Sequence, residues 1–218
     1  MRQETSLPVK RLALPAPGAG VPEPHAGPSP WRLIVFGHLG PNRGLDSILT
    51  ALHLLEDRGR FRLHIYGELY DPAIVAQHVE KLGLTDLVTI HGRVSEEELQ
   101  AALTGAHLAI NLRYPTRGEA SGAQLRIWNH GLPSIVTRIG WYAELPENAV
   151  AFVRPGSMAE DLAAQLRRYA AEPQPFVRMG MNGYRYFAEQ HSPERYVAGL
   201  LAFADKVRET GRCSSIQS

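Results

Sequence analysis

Short apolar runs alternate along the chain with longer segments in which apolar residues recur every three or four positions. Six of the runs predict buried strands, at residues 32–36, 61–66, 87–91, 108–112, 134–137 and 150–153. The other segments predict helices, at residues 45–55, 71–82, 121–129, 158–171, 176–190 and 193–208, with one more opening at the capping box of Ser95. Such alternation predicts a doubly wound, Rossmann-like α/β domain, in which helices cover both faces of a parallel sheet of about six strands.

The composition changes at both ends of this pattern. Residues 1–30 carry seven of the prolines and several glycines, which is typical of an extended linker or tail. The apolar pattern begins at Trp31, and residues 211–218 are polar. We therefore predict a Pro-rich segment over 1–30, one Rossmann-like domain over 31–210, and a polar tail over 211–218.

The charges of the chain nearly cancel, since 23 lysines and arginines face 22 aspartates and glutamates. No basic face or stripe develops, which argues against a nucleic-acid partner. One cysteine, Cys213, leaves no disulfide within the chain, so we expect a reducing compartment. The sequence lacks a secretory leader and any apolar run near the ~20 residues that span a bilayer, and it predicts a cytoplasmic protein without a transmembrane segment.

Candidate chemistry is concentrated between the fourth predicted strand and the helix after it. Glu119 precedes Ser121, Gly122 and Ala123, so a carboxylate and small residues lie together at a helix start. Ligands of open α/β sheets bind at the carboxyl ends of strands, and the free N–H groups of a helix start attract anions. The pattern favours a ligand with both phosphate and sugar hydroxyls. The alternative is that Glu119 is a first-turn helix acid stabilised by the helix dipole.

A second candidate is the glycine-containing turn after the first strand, Gly37 to Gly44. Arg43 in this turn stands at the start of a helix, where a phosphate would also sit. The dinucleotide pattern G-x-G-x-x-G and the P-loop are both absent. The turn is equally compatible with a plain strand–helix connection that carries a solvated Arg43. The histidines show no metal-ligand spacing with Cys, Asp or Glu, so no metal site is predicted.

Over residues 33–204 the chain resembles the C-terminal, donor-binding half of a family 4 (group 1) glycosyltransferase with the two-lobed B-type fold. Five segments carry the resemblance in the order that the family shows. They are Gly37-His38-Leu39 with Arg43-Gly44, His64-Ile65-Tyr66-Gly67, Leu82 to Val88 with Gly92-Arg93-Val94, Glu119-Ala120-Ser121-Gly122, and Gly131 to Val136. The resemblance implies transfer of a sugar from a UDP- or GDP-linked donor, with retention of anomeric configuration and without another cofactor.

The resemblance also implies roles for individual positions. Arg43, helped by His38, would contact the donor diphosphate, and Glu119 would bond hydroxyls of the donor sugar. Arg43 and Glu119 are the candidate catalytic residues. The candidate donor-binding residues are Gly37, His38, Arg43, Gly92, Val94, Glu119, Ser121, Gly122 and Ala123. Of these, Gly92 and Val94 would present backbone to the nucleobase, and the N–H groups of Gly122 and Ala123 would meet phosphate or sugar oxygens.

The sequence departs from the family at two points. The family's second glutamate, which holds the ribose, falls by spacing on Ile127 or on its neighbour Arg126. The family's N-terminal, acceptor-binding lobe has no counterpart in the Pro-rich segment, so we expect a half-enzyme whose sugar, lipid-linked or glycan acceptor is held by a separate lobe.

Two other functions stay open from the sequence. One is a non-catalytic nucleotide- or partner-binding domain derived from such an enzyme, which the altered second glutamate favours. The other is a nucleotide-dependent enzyme on a similar sheet, such as a sugar-nucleotide epimerase. The epimerase should show a Tyr-x-x-x-Lys pair, but none of the three lysines, Lys10, Lys81 and Lys206, is so placed.

Overall fold

The structure, a computed structural model, describes residues 9–16, 18, 21–23 and 26–214. Within these residues six strands form one sheet: β1 (Trp31–Phe36), β2 (Phe61–Tyr66), β3 (Val88–Gly92), β4 (Leu108–Asn111), β5 (Ser134–Thr137) and β6 (Ala151–Val153). All of the pairings are parallel, and the spatial order is β3-β2-β1-β4-β5-β6. The doubly wound α/β fold predicted from the alternation of apolar runs and amphipathic segments is confirmed.

The helices lie close to their predicted positions. They are α1 (Leu45–His53), α2 (Pro72–Lys81), α3 (Glu96–Gly105), α4 (Gly122–Asn129), α5 (Met158–Ala171), α6 (Gln174–Gln190) and α7 (Pro193–Ser214). The capping box of α3 is present, since Ser95 and Glu98 bond each other's backbone N–H. The helix α7 continues past residue 208 into the predicted polar tail, because polarity by itself does not end a helix. Residues 1–8 and 215–218, at the outer ends of the predicted terminal segments, lie outside the described residues.

The order of the strands creates a crevice at one edge of the sheet. The chain moves outward from β1 to β2 and β3, and then returns to place β4 on the other side of β1. The loops that follow β1 and β4 therefore leave the sheet in opposite directions. In open parallel sheets this reversal, at the carboxyl ends of the strands, is where ligands bind. Both candidate segments of the sequence, after β1 and after β4, fall at this switch point.

The core lies on both faces of the sheet, as alternate side chains of β1 show. Leu33 and Val35 pack with residues of α1, α2 and α5, whereas Ile34 and Phe36 pack with residues of α3 and α4. Every one of these four side chains is at most 4% exposed. A strand buried on both faces reads as a continuous apolar run, which is why the sequence marks it so clearly.

Part of the Pro-rich segment lies against the end of α6. The Ala16 N–H donates to the carbonyl of His191 at 2.9 Å, and the His191 imidazole Nδ1 lies 2.8 Å from the Leu14 carbonyl. His191 itself is 4% exposed. These two contacts join the segment to the domain at a point that the sequence pattern does not indicate.

Helix α6 packs closely against α4 through a glycine. A Cβ atom added at Gly183 would overlap the indole ring of Trp128, a side chain that is fully buried. The Trp128 indole N–H also donates to the Ala149 carbonyl at 3.2 Å, so the ring is held in place. Gly183 is therefore required by close packing of two helices.

We expect Gly183→Ala to destabilise the protein by about 1–3 kcal/mol, because the helices must move apart to admit the methyl group. Thermal unfolding followed by circular dichroism measures this as a fall in Tm. Gly156→Ala is the matched control, since a Cβ at Gly156 would meet nothing within 4 Å. Equal Tm values for the two variants would contradict the packing role of Gly183.

Candidate functional site

Arg43 is turned into the protein. It ends a 3₁₀ turn, Pro41–Arg43, and the next residue, Gly44, takes a left-handed conformation with φ of 64° before α1 begins. The Arg43 side chain is 5% exposed, and its Nη2 donates to the Phe36 carbonyl at 3.2 Å. Burial first, and then the neighbouring Arg113, lower the pKa of Arg43 from its usual value. The alternative of a solvated Arg43 is therefore excluded.

Arg113 faces Arg43 from the other side of the switch point. It follows β4 by two residues, and its backbone N–H donates to the Thr137 hydroxyl at 3.1 Å. Its Nη1 lies 3.1 Å from Glu119 Oε1, and the side chain is 18% exposed. Sequence reasoning missed Arg113, although its position just past the end of a buried strand is the signal that marked Glu119.

The two arginines share an unusual feature. Their Nε atoms are the buried side-chain nitrogen or oxygen atoms that have no hydrogen-bond partner anywhere in the described part of the chain. A buried donor without a partner is costly, and two neighbouring cations repel each other. An anion placed between the guanidinium groups would remove both costs at once, and guanidinium groups bind phosphate through paired N–H donors. The arrangement therefore has the donors and the positive charge that an anion would pair with.

Glu119 is held in a loop before α4, not in the first turn of the helix. Its Oε2 accepts hydrogen bonds from the Arg117 backbone N–H at 2.9 Å and from the Thr116 hydroxyl at 3.0 Å. Backbone N–H groups, of Glu119 itself and then of Arg117, lower the pKa of the carboxyl group, as do Thr116 and Arg113. Glu119 is therefore ionised at neutral pH, and its side chain is 42% exposed at the crevice.

The start of α4 is capped but uncovered. The Ser121 hydroxyl accepts from the Gln124 N–H at 3.2 Å, which makes Ser121 the N-cap residue. Ser121, which the sequence resemblance placed among the donor-binding residues, is 4% exposed. A Cβ added at Gly122 would meet nothing within 4 Å. A ligand can therefore approach the first N–H groups of the helix, at Gly122 and Ala123.

A buried network of polar side chains connects β4, α4 and β5 beside the site. The Asn111 side-chain amide donates to Gln124 Oε1 at 3.0 Å, and Gln124 Nε2 donates to the Ser134 hydroxyl at 2.8 Å. The Tyr142 hydroxyl donates to Asn111 Oδ1 at 3.4 Å. These groups are at most 1% exposed. They fix the end of β4 to α4 and β5, and thereby the position from which Arg113 extends.

A cavity of about 200 Å³ lies next to the arginines, at the ends of β1, β2 and β3. It is lined by Gly37, His38, Tyr66, Gly67, Glu68, Arg93, Val94 and Leu99. The backbones of Gly37 and Gly67 approach so closely that a Cβ at Gly67 would overlap the Gly37 carbonyl. The Gly67 N–H also donates to the Gly92 carbonyl at 2.6 Å, which joins the third strand end to the other two. Three of the candidate residues thus line this cavity, and a fourth, Gly92, adjoins it.

Two consecutive residues, Phe36 and Gly37, connect the arginine pair to the cavity. Arg43 bonds the Phe36 carbonyl, and the next residue, Gly37, lines the cavity. The Arg126 guanidinium pairs with the Glu96 carboxylate of α3 and lies 6.0 Å from the centre of the Phe36 ring. The carboxylate of Glu96 therefore lies beside Arg126, one of the two positions on which the family's second glutamate falls by spacing.

Neither a metal cluster nor a membrane span is found in the part of the chain that the structure describes. No group of three or more His, Cys, Asp and Glu side chains there could hold a metal ion. His64 and His91 approach each other to 3.0 Å without a third such residue. No helix among the described residues is long and apolar enough to cross a bilayer.

Comparison with known proteins places the chain in a family. The family model for "Glycosyl transferases group 1" matches residues 24–186. The chain is 26% identical over 169 residues to an MMP alpha-(1->4)-mannosyltransferase of Mycolicibacterium hassiacum, covering 76% of this chain and 40% of that protein. The chain therefore spans less than half the length of this curated relative.

Two solved structures share the fold. The C-terminal domain of the glycosyl transferase group 1 protein LpcC of Francisella tularensis gives a TM-score of 0.67 at 16% identity, covering 80% of this chain and 100% of that one. Anabaena HepE, solved in complex with UDP and glucose, gives 0.68 at 14% identity, covering 82% of this chain and 48% of that one.

Proposed function

The chain belongs to the group 1 glycosyl transferases, and we propose that its switch-point crevice binds the diphosphate of a nucleotide-sugar donor. Family membership removes the epimerase alternative that the sequence left open. The observation that carries the proposal is the pair Arg43 and Arg113 at the switch point, whose buried Nε atoms have no hydrogen-bond partner among the described residues. A diphosphate supplies acceptor oxygens for these two Nε–H donors.

The roles of the surrounding groups are inferred from their positions. The N–H groups at the start of α4 would receive a phosphate or sugar oxygen, since a Cβ at Gly122 would meet only open space. Glu119 would accept hydrogen bonds from hydroxyls of the donor sugar, because it is ionised and exposed beside the arginines. During sugar transfer, the negative charge that develops on the departing diphosphate would be stabilised by both guanidinium groups, which are already in place.

A panel of nucleotides tests the proposal directly. Isothermal titration calorimetry of the full chain with UDP, GDP, ADP and the matching monophosphates should show binding of diphosphates in the mid-micromolar to millimolar range, about −4 to −6 kcal/mol. Monophosphates should bind more weakly, because one phosphate satisfies fewer of the donors. Absence of heat with every diphosphate at millimolar concentration would overturn the assignment of the donor site.

Glu119→Gln should separate sugar recognition from diphosphate recognition. We expect affinity for a nucleotide-sugar to fall by about 10-fold, since a hydrogen bond to a charged group contributes about 1.5–3 kcal/mol. Affinity for the corresponding nucleoside diphosphate should change much less. Calorimetry with both ligands measures the difference, and Glu97→Gln, an exposed glutamate of α3, is the control. Equal losses for the two ligands would show that Glu119 does not address the sugar.

A further inference from the structure

Building on the proposed function, we propose that the cavity beside Gly37 takes a guanine base and that Glu68 and Arg93 select it. The donor would then be a GDP-linked sugar. Both side chains line the cavity, and neither was among the candidate residues found from the sequence.

The position of the cavity makes it the place for the base. A diphosphate between Arg43 and Arg113 lies beside Phe36, whose carbonyl Arg43 contacts. The cavity begins at the next residue, Gly37, and extends over the ends of β2 and β3. Tyr66 and Leu99 line it with ring and aliphatic surface, which suits the faces of a planar base. A nucleoside extending from the diphosphate along the sheet edge enters this cavity.

The charged groups at the cavity are available to a ligand. Arg93 Nε lies 3.8 Å from Glu68 Oε2, which is too long for a hydrogen bond. The Glu68 and Arg93 side chains are 61% and 85% exposed. The two groups therefore attract each other loosely, and each retains hydrogen-bonding capacity on the side that faces the cavity.

The chemistry of these two groups matches guanine and not the other common bases. Guanine carries two adjacent donors, N1–H and the N2 amino group, which meet the two oxygens of one carboxylate in parallel. Its O6 and N7 acceptors are the pair that an arginine binds with two N–H groups. Uracil offers one N3–H donor between two carbonyl oxygens, which a carboxylate repels. Adenine places an acceptor, N1, next to its amino group, so a carboxylate opposes one of the two positions.

Inosine diphosphate is the sharpest probe, because it lacks only the N2 amino group of GDP. By calorimetry with the full chain, GDP should bind about 10-fold more tightly than IDP, UDP or ADP. Glu68→Gln should weaken GDP by about 10-fold and IDP by less, because IDP meets the carboxylate through N1–H alone, and it should not weaken UDP. Glu97→Gln is the matched control, and it should preserve the ratio between GDP and IDP.

The outcomes separate this inference from the proposed function. Equal affinity for all four diphosphates, or tightest binding of UDP, would overturn guanine selection and leave the diphosphate site intact. No binding of any diphosphate would overturn the proposed function itself. A preference for GDP over IDP that survives Glu68→Gln would remove Glu68 from the assignment. The comparison of GDP with IDP on the unaltered chain tests guanine selection even if the variant fails to fold.

Discussion

Replacing Arg113 by glutamine is expected to weaken the binding of a nucleoside diphosphate by about 10- to 100-fold. The Arg113 guanidinium is mostly buried, and its Nε has no partner among the described residues. Hydrogen bonds between charged groups contribute about 1.5–3 kcal/mol each, and more where water is excluded. Glutamine keeps an N–H donor near the position of the arginine Nε but removes the positive charge. The loss should therefore appear for every diphosphate, whichever base it carries.

Arg117→Gln is the control for this experiment, because it removes the same charge from an exposed position in the same loop. It should change the affinity by less than about 3-fold, the scale of a screened surface charge. Calorimetry with GDP and UDP at two salt concentrations measures both variants. If Arg113→Gln and Arg117→Gln have the same effect, the contribution of Arg113 is long-range attraction and not contact with the ligand.

The sequence predicts the strands and helices well because the central strands are buried on both faces. Buried runs such as Leu33 to Phe36 carry no polar residue, and their ends are marked by glycine or by charged residues. The same signal located Arg43 and Glu119, which lie in the segments after β1 and β4. Residues just past the carboxyl ends of parallel strands lie at one edge of the sheet, so position along the chain was enough to bring these two together.

Side-chain direction is the part that the sequence leaves open. Arg113 lies between the predicted fourth strand and the glutamate segment, and nothing in its neighbours states that it turns inward toward Arg43. The carboxylate beside Arg126 comes from Glu96, 30 residues earlier on a different helix. The ion pair between Glu96 and Arg126 depends on how α3 and α4 are placed on the sheet. A pattern that runs along one strand or one helix carries no information about such a contact.

The unpartnered Nε atoms of the two arginines also imply that the site is built at a cost to stability. Arg43 bonds the Phe36 carbonyl through Nη2 and leaves Nε without a partner among the described residues. Burial together with Arg113 disfavours its charged form and lowers its pKa. Replacing buried charged groups by well-packed apolar side chains of similar volume is often neutral or stabilising by about 1–4 kcal/mol. The side chain that the proposed binding requires is thus one whose burial is unfavourable for the folded chain.

We therefore expect Arg43→Met to raise Tm while it lowers diphosphate affinity by about 100-fold or more, the loss of two charge-assisted hydrogen bonds. Methionine is long enough to fill the space and has no donor to leave unpaired. For a chain of this size about 1 kcal/mol corresponds to roughly 2–4 °C. Thermal unfolding gives the first quantity, and calorimetry with GDP and UDP gives the second.

Arg43→Lys is the control, since it keeps a positive charge at the same position. It should bind diphosphates within about 10-fold of the unaltered chain, because a lysine still attracts the phosphates but lacks the paired donors of arginine. It should also gain little or no Tm, because the buried charge remains. A methionine variant that loses stability and affinity together would show that Arg43 serves the fold. One that keeps the affinity would show that the diphosphate lies elsewhere.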